Sequence, residues 1–193
     1  MDKFPVMLID IDRCIGCLSC EVACLQEKDL KEPYIRPMKV SRVGGFGESP
    51  DLFFVPMNCF HCEPAPCVMA CPTGAMVKNQ KGIVHLLSTR CIGCKACIIA
   101  CPFGAISFNP QTMKVEKCDY CMHRLEQNLL PSCVSKCTTN CLYFVYLETA
   151  PSARHISQRL DSSLLQELFL KPDIASRIQT TPPQQQQEQS QSP

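Results

Sequence analysis

Cys91-Ile92-Gly93-Cys94-Lys95-Ala96-Cys97-Ile98-Ile99-Ala100-Cys101-Pro102 decides how the rest of the chain reads. Its spacing is C-x2-C-x2-C-x3-C-P, with which thiolates wrap a cubane iron–sulfur cluster. A thiolate at every third residue reaches three corners of one compact core. Gly93 lets the loop turn tightly and approach that core with no side chain in the way. After Cys97 a helical turn carries Cys101 away to a neighbouring cluster, and Pro102 keeps the helix from continuing. One such run therefore implies two clusters, and the remaining ligands must come from elsewhere in the chain.

They are present. Cys14-Ile15-Gly16-Cys17-Leu18-Ser19-Cys20-Glu21-Val22-Ala23-Cys24 repeats the spacing and the glycine, without the closing proline. Cys59, Cys62, Cys67 and Cys71 are spaced x2, x4, x3, and Pro64 and Pro66 in the longer gap fix a loop there. Cys71-Pro72-Thr73-Gly74-Ala75-Met76 matches Cys101-Pro102-Phe103-Gly104-Ala105-Ile106 position by position, an internal repeat that makes a pseudo-symmetric two-cluster unit. Cys118, Cys121, Cys133 and Cys137 form the last group, spaced x2, x11, x3. Of the seventeen cysteines only Cys141 is left over. Laid on the repeat it falls where Ala75 and Ala105 stand, and reads as a small buried apolar residue.

The connecting segments suit short elements. Residues 4–11 read as a strand feeding the first cysteine loop, and 18–28 as a helix that no breaker stops. Residues 34–43 and 52–57 read as a strand pair, with Gly44-Gly45-Phe46-Gly47 as its turn; no Walker lysine follows, so a phosphate loop is set aside. A turn at 79–82 leads to a strand over 83–87, a helix is expected over 122–129, and 141–147 closes as a strand. From Ser152 the apolar residues Ile156, Leu160, Leu164, Leu165, Leu168 and Phe169 recur at helical spacing. Beyond about residue 180 the chain is rich in Pro, Gln and Ser, a composition expected to stay disordered.

Structural zinc is the plain alternative for paired cysteines. Three cysteines at i, i+3 and i+6 crowd too many thiolates for one tetrahedral ion, and this chain does so twice. An odd cysteine count also sits badly with a disulfide scaffold. A Rieske-type centre needs two histidines per cluster, which these motifs do not offer. His61, inside a cysteine loop, is placed to donate a hydrogen bond to a cluster sulfur. His85, His123 and His155 read as strand or surface residues, and Tyr120 and Phe103 as packing that shields clusters.

The 193 residues are 46% hydrophobic with a formal charge of +1, and no basic run marks a nucleic-acid surface. No apolar run approaches the ~20 residues that span a bilayer. With no secretory or twin-arginine leader recognised, so many cysteines point to a reducing, cytoplasmic setting. There is no G-x-S-x-G, no dinucleotide fingerprint and no motif-placed acidic pair. The chain is expected to carry cofactors and to offer no substrate site, hence no catalytic residue of its own.

The order of the four motifs, the x11 gap in the fourth, and the phrases His61-Cys62-Glu63-Pro64-Ala65-Pro66-Cys67 and Lys117-Cys118-Asp119-Tyr120-Cys121 carry a family likeness. Over residues 5–147 the chain resembles the four-cluster ferredoxin-like electron-transfer subunits of the dimethyl-sulfoxide-reductase and formate-dehydrogenase type. It looks most similar to the small iron–sulfur subunits of formate dehydrogenases, formate-linked hydrogenases and carbon monoxide dehydrogenase systems. Leu25 and Thr138, where the repeat has proline, and Cys141 depart from the pattern and touch no ligand.

The resemblance implies an α+β fold of tandem, nested, pseudo-symmetric 2[4Fe–4S] units with short antiparallel strands and small helices. The cluster domain spans residues 1–150, with the inner repeat at 57–108 and the outer motifs at 5–28 and 115–147. An amphipathic helix at 151–171 and a tail at 172–193 follow. The implied ligand sets are Cys14, Cys17, Cys20 with Cys137; Cys118, Cys121, Cys133 with Cys24; Cys59, Cys62, Cys67 with Cys101; and Cys91, Cys94, Cys97 with Cys71. The implied function is relay of electrons through four [4Fe–4S] clusters between a catalytic oxidoreductase subunit and another redox partner; the apolar face of 152–170 either packs back on its own domain or docks on a partner subunit or a second copy of the chain. A free-standing polyferredoxin carrier and a zinc-stabilised interaction module are the alternatives.

Overall fold

A computed structural model of the chain describes residues 4–32, 34–44, 52–147 and 155–158. Nine short strands, five short α-helices and one 3-10 turn (Ser88–Arg90) occur among them. The first strand, β1 (Phe4–Asp10), is the middle strand of a three-stranded sheet of order β8-β1-β9, and its two faces are buried in separate apolar clusters. Met7 and Ile9 face the main core together with Leu142, Phe144 and Tyr146 of β8 (Leu142–Leu147). Val6 and Leu8 point the other way and pack with Val145. The chain then turns through the first cysteine loop into α1 (Ser19–Glu27). Asp29, at φ 49°, ends this helix, and the Leu30 N–H closes onto the Leu25 carbonyl.

Three antiparallel hairpins make up the middle of the chain: β2 (Lys39–Gly44) with β3 (Leu52–Met57), β4 (Met76–Lys78) with β5 (Val84–Leu86), and β6 (Ile106–Asn109) with β7 (Lys114–Lys117). Short helices punctuate the cysteine motifs: α2 (Pro66–Met69), α3 (Ala96–Ala100), α4 (Met122–Leu125) and α5 (Ser132–Ser135). The internal repeat is visible in the backbone. Gly74, Gly104 and Asn140 each take a positive φ three residues after a motif's last cysteine. Each donates its N–H to that cysteine's carbonyl, at 3.3, 3.4 and 3.3 Å. A strand then starts two residues on, at Met76, Ile106 and Leu142.

The structure changes several sequence expectations. The helix expected over 151–171, and from Ser152 in particular, is contradicted at its start: His155–Gln158 is strand β9, paired parallel to β1 from Met7↔His155 to Asp10↔Gln158. Once β8 covers one edge of β1, the other edge still needs partners for its N–H and C=O groups, and that demand outweighs local helical periodicity. The rest of the proposed helix, the tail, and most of the Gly44–Gly47 turn lie outside the described residues. The helix expected over 122–129 stops at Leu125, because Asn128 adopts φ 59° and the Leu129 N–H returns to the Arg124 carbonyl. The strand expected from residue 34 starts only at Lys39. The β6–β7 hairpin is an addition to the elements expected from sequence; Asn109 Oδ1 shapes its turn by accepting the N–H groups of Gln111 and Thr112.

Candidate metal centres

Strand register explains how cysteines far apart in sequence meet. In the β1–β8 pair Ile9 faces Leu142, so Cys14 lies five residues beyond the pair on one strand and Cys137 five before it on the other. In the β4–β5 pair Met76 faces Leu86, and Cys71 and Cys91 stand at the same offsets of five and five. The result at the second place is a cavity whose lining includes Cys71, Cys91, Cys94 and Cys97. Among the described residues no three Cys, His, Asp or Glu side chains close on one point as ligands of a single ion do.

Thiol electrostatics report the same neighbourhoods. Burial, then Cys137 and Cys14, push Cys20 up to about 12. Burial, then Cys118 and Cys121, push Cys24 up as well. Cys67 is raised to about 11 by burial, with Cys59, Cys101 and Cys62 adding to it and Lys117 opposing. For Cys97 the causes are burial, then Cys71, with Cys91 and Cys94 behind. Two thiols also feel the next set along: Cys133 feels Cys20, and Cys118 feels Cys59. These shifts belong to thiols without iron, and metal binding would deprotonate them.

The loops containing Cys14–Cys20 and Cys91–Cys97 share one construction. Gly16 and Gly93 take φ 67° and 69°, and Leu18 and Lys95 take φ 62° and 64° just before α1 and α3. A Cβ on Gly16 would come within 2.5 Å of the Phe54 ring, and one on Gly93 within 2.3 Å of the Met113 carbonyl oxygen. Cys17 and Cys94 are exposed, and so are Ile15, Val22, Ile92 and Ile99 nearby. The Ser19 and Thr138 hydroxyls stand 3.5 and 3.7 Å from Cys17 Sγ and hold that thiol below its ordinary range, Ser19 most strongly. Thr138, which replaces the proline of the repeat, thus supplies a polar contact that proline would not.

The loops starting at Cys59 and Cys118 place the same positive φ on side chains instead of glycines, His61 at 46° and Tyr120 at 57°. Each residue's backbone N–H donates to the sulfur two positions back, at 3.4 Å in both loops. The two rings pack against each other at 4.0 Å with a tilt of 39°, fully buried, and Tyr120 meets Phe144 edge-on at 5.1 Å. His61 Nδ1 accepts the Val84 N–H at 2.9 Å, which puts the ring proton on Nε2, while the backbone N–H of this residue donates to Cys59 Sγ. Phe103 is 42% exposed and stacks on Phe60, so it covers less than Tyr120 does. His123 pairs with Glu27 at 2.8 Å, away from any sulfur role.

Cys141 is 2% exposed, and its N–H donates to Cys137 Sγ at 3.3 Å. Its own sulfur lies 3.5 Å from Cys137 Sγ, a contact that alanine at this position could not make. Cys137 itself is held below the ordinary thiol range: burial raises it, but bonds from Cys141 and the Leu142 and Thr139 groups outweigh that. Sequence reasoning passes over Asn58 and Lys117, both buried, which directly precede Cys59 and Cys118. The signal available is a polar residue before the first cysteine of every group: Arg13, Asn58, Arg90 and Lys117.

A 4Fe-4S dicluster domain matches residues 50–147, and a second 4Fe-4S dicluster domain matches residues 13–75. The chain belongs to the four-cluster, ferredoxin-like electron-transfer subunits. Two dicluster domains give it four [4Fe–4S] clusters. It is 41% identical over 157 residues to the thiosulfate reductase electron transfer subunit of Salmonella typhi, covering 80% of this chain and 82% of that one. It is also 41% identical over 135 residues to a tetrathionate reductase subunit of Salmonella typhimurium, covering 68% and 53%. The identity is 32% over 199 residues to a putative dimethyl sulfoxide reductase iron–sulfur subunit of Halobacterium salinarum, covering 86% and 76%. These relatives are reductase subunits, and the narrower likeness to formate, carbon monoxide and hydrogen enzymes finds no support in them. No helix among the described residues is long and apolar enough to cross a membrane.

Proposed function

We propose that this chain relays electrons within a multi-subunit reductase, between a catalytic subunit and a second redox partner. Each cluster, when bound, supplies a one-electron couple whose potential its surroundings set. The ligand sets are Cys14, Cys17, Cys20 and Cys137; Cys118, Cys121, Cys133 and Cys24; Cys59, Cys62, Cys67 and Cys101; Cys91, Cys94, Cys97 and Cys71. The observation that carries this reading is the equal five-and-five offset in two strand pairs, which supports a shared cluster for Cys137 with Cys14 and for Cys71 with Cys91. The electrostatic influence of Cys20 on Cys133 and of Cys59 on Cys118 supports the order of the sets along a nested line. The two terminal sets include the exposed Cys17 and Cys94, where electrons enter and leave.

The partner is a catalytic reductase subunit acting on a small oxidised sulfur compound, by likeness to the thiosulfate, tetrathionate and dimethyl sulfoxide relatives. Anaerobic capture of the tagged chain from its native source tests this. The expected result is a co-eluting catalytic subunit, with the dithionite-reduced clusters reoxidised by tetrathionate or dimethyl sulfoxide in the complex and not in the chain alone. Elution as a single chain that passes electrons to several unrelated acceptors would instead make it a free polyferredoxin.

A further inference from the structure

Lys117 is 3% exposed, and its ammonium donates to two backbone carbonyls, those of Val84 and Cys118. Among the described residues no carboxylate stands within ion-pair distance of it. A buried ammonium with only neutral partners is costly, and a negative charge nearby must compensate it. That charge lies in the thiolate sets on either side. Lys117 directly precedes Cys118 of one set, and Val84, whose carbonyl it binds, donates its N–H to His61, which lies between Cys59 and Cys62 of the other. Asn58 makes the converse contact: it precedes Cys59, yet its Nδ2 donates to Cys118 Sγ at 3.4 Å, and it is 2% exposed.

We propose that Lys117 and Asn58 form a crossed polar bridge that raises the potentials of the two central clusters, Asn58 reaching the Cys118 sulfur of the other motif and Lys117 the backbone that holds the other motif's loop. The bridge rests on the ligand sets given above. Reducing a cluster adds negative charge, which burial penalises and a fixed ammonium or an N–H donor to sulfur favours. The central sets need this help most, because six of their eight thiols are buried: Cys24, Cys59, Cys67, Cys118, Cys121 and Cys133. The corresponding residues of the terminal motifs, Arg13 and Arg90, are exposed, and Arg13 donates to the Tyr143 hydroxyl. At the start of the terminal motifs, therefore, no buried cation stands.

The test is an EPR-monitored redox titration of the full-length, cluster-loaded protein, with iron and acid-labile sulfide measured on every sample. Cys67→Ser and Cys118→Ser first mark the two central signals. Lys117→Met should then shift both marked midpoints downward, Asn58→Leu should shift only the signal marked by Cys118→Ser, and Lys117→Arg should restore most of the wild-type values. The unmarked signals should stay in place, which a merely structural role would not ensure. Full iron with unmoved central midpoints, or an equal shift of all four, overturns the bridge alone. Should Lys117→Met lose iron, the Asn58→Leu and Lys117→Arg titrations decide in the same way. If Cys67→Ser and Cys118→Ser alter the same signal, or none, the ligand assignment fails and the bridge with it.

Discussion

Two kinds of cysteine loop do the same job with different residues. The terminal loops, at Cys14–Cys20 and Cys91–Cys97, use Gly16 and Gly93 where the central loops use His61 and Tyr120. All four residues sit at positive φ, two positions after a first cysteine. The turn is therefore a demand of the loop, and what lies above it chooses the residue. Over Gly16 and Gly93 a ring and a carbonyl come so close that a Cβ has no room. Between the central loops two tilted aromatic rings pack together. Side chains in this backbone region carry a strain of about 1–2 kcal/mol, which packing and burial of the rings offset. Glycine marks where the protein covers a loop closely, and the aromatic pair marks where two loops are bolted together.

The comparison breaks most completely if the fold survives without its clusters. Anaerobic chelation of iron should abolish the near-UV and far-UV signals of the folded protein, because the central thiols have no reason to pack together without metal. Retention of native secondary structure in the iron-free chain would mean that the His61–Tyr120 pair and the β1–β8 sheet are sufficient by themselves.

Next in size is a contrast among glycines. Gly93→Ala meets a rigid carbonyl, and the variant should lose one of the four clusters, about a quarter of its iron. Gly16→Ala meets the side chain of Phe54, which can move, and should keep more iron than Gly93→Ala. Gly74→Ala has open space and should cost only the conformational strain, about 1–2 kcal/mol, with iron intact. Iron analysis of the three variants checks the order, and equal losses would remove close cover as the reason for glycine.

In the central region Tyr120→Ala should destabilise the holoprotein by about 3–5 kcal/mol, read as a lower guanidinium midpoint for cluster release. On air exposure the terminal clusters should bleach first, giving two phases of iron loss, because only their sets include exposed cysteines. A single phase would contradict the difference in protection. The smallest effect belongs to Cys141. Cys141→Ala should keep full iron and remain within about 1 kcal/mol of wild type, whereas Cys137→Ala should lose a cluster. The opposite outcome would make Cys141 the ligand.

Much of this is legible in the cysteine spacing, since a thiolate every third residue with glycine between leaves few backbone paths. The strands at Phe4–Asp10 and Leu142–Leu147 are legible too, because both faces of the first are covered and the second follows a repeat that the motifs already display. What sequence alone does not reveal depends on partners distant along the chain. Residues 155–158 carry a helical pattern, yet the free edge of β1 claims them as a strand. Asn58 and Lys117 look like ordinary polar residues until the fold buries both and sets Asn58 against the sulfur of another motif's Cys118. Alignment on the repeat sets Cys141 apart from the ligands, but its 3.5 Å approach to Cys137 is a matter of packing.

The central claim is that each motif's fourth cysteine crosses to another motif's cluster, a reading that the matched offsets in β1–β8 and β4–β5 support for Cys137 and Cys71. Low-temperature EPR of reduced Cys71→Ser and Cys91→Ser, prepared anaerobically and compared with wild type, tests it most directly. The account predicts that both substitutions perturb one and the same signal of the four and leave the others unchanged. If Cys71→Ser instead perturbs the signal altered by Cys67→Ser, the fourth cysteine stays with its own motif and the crossing is wrong.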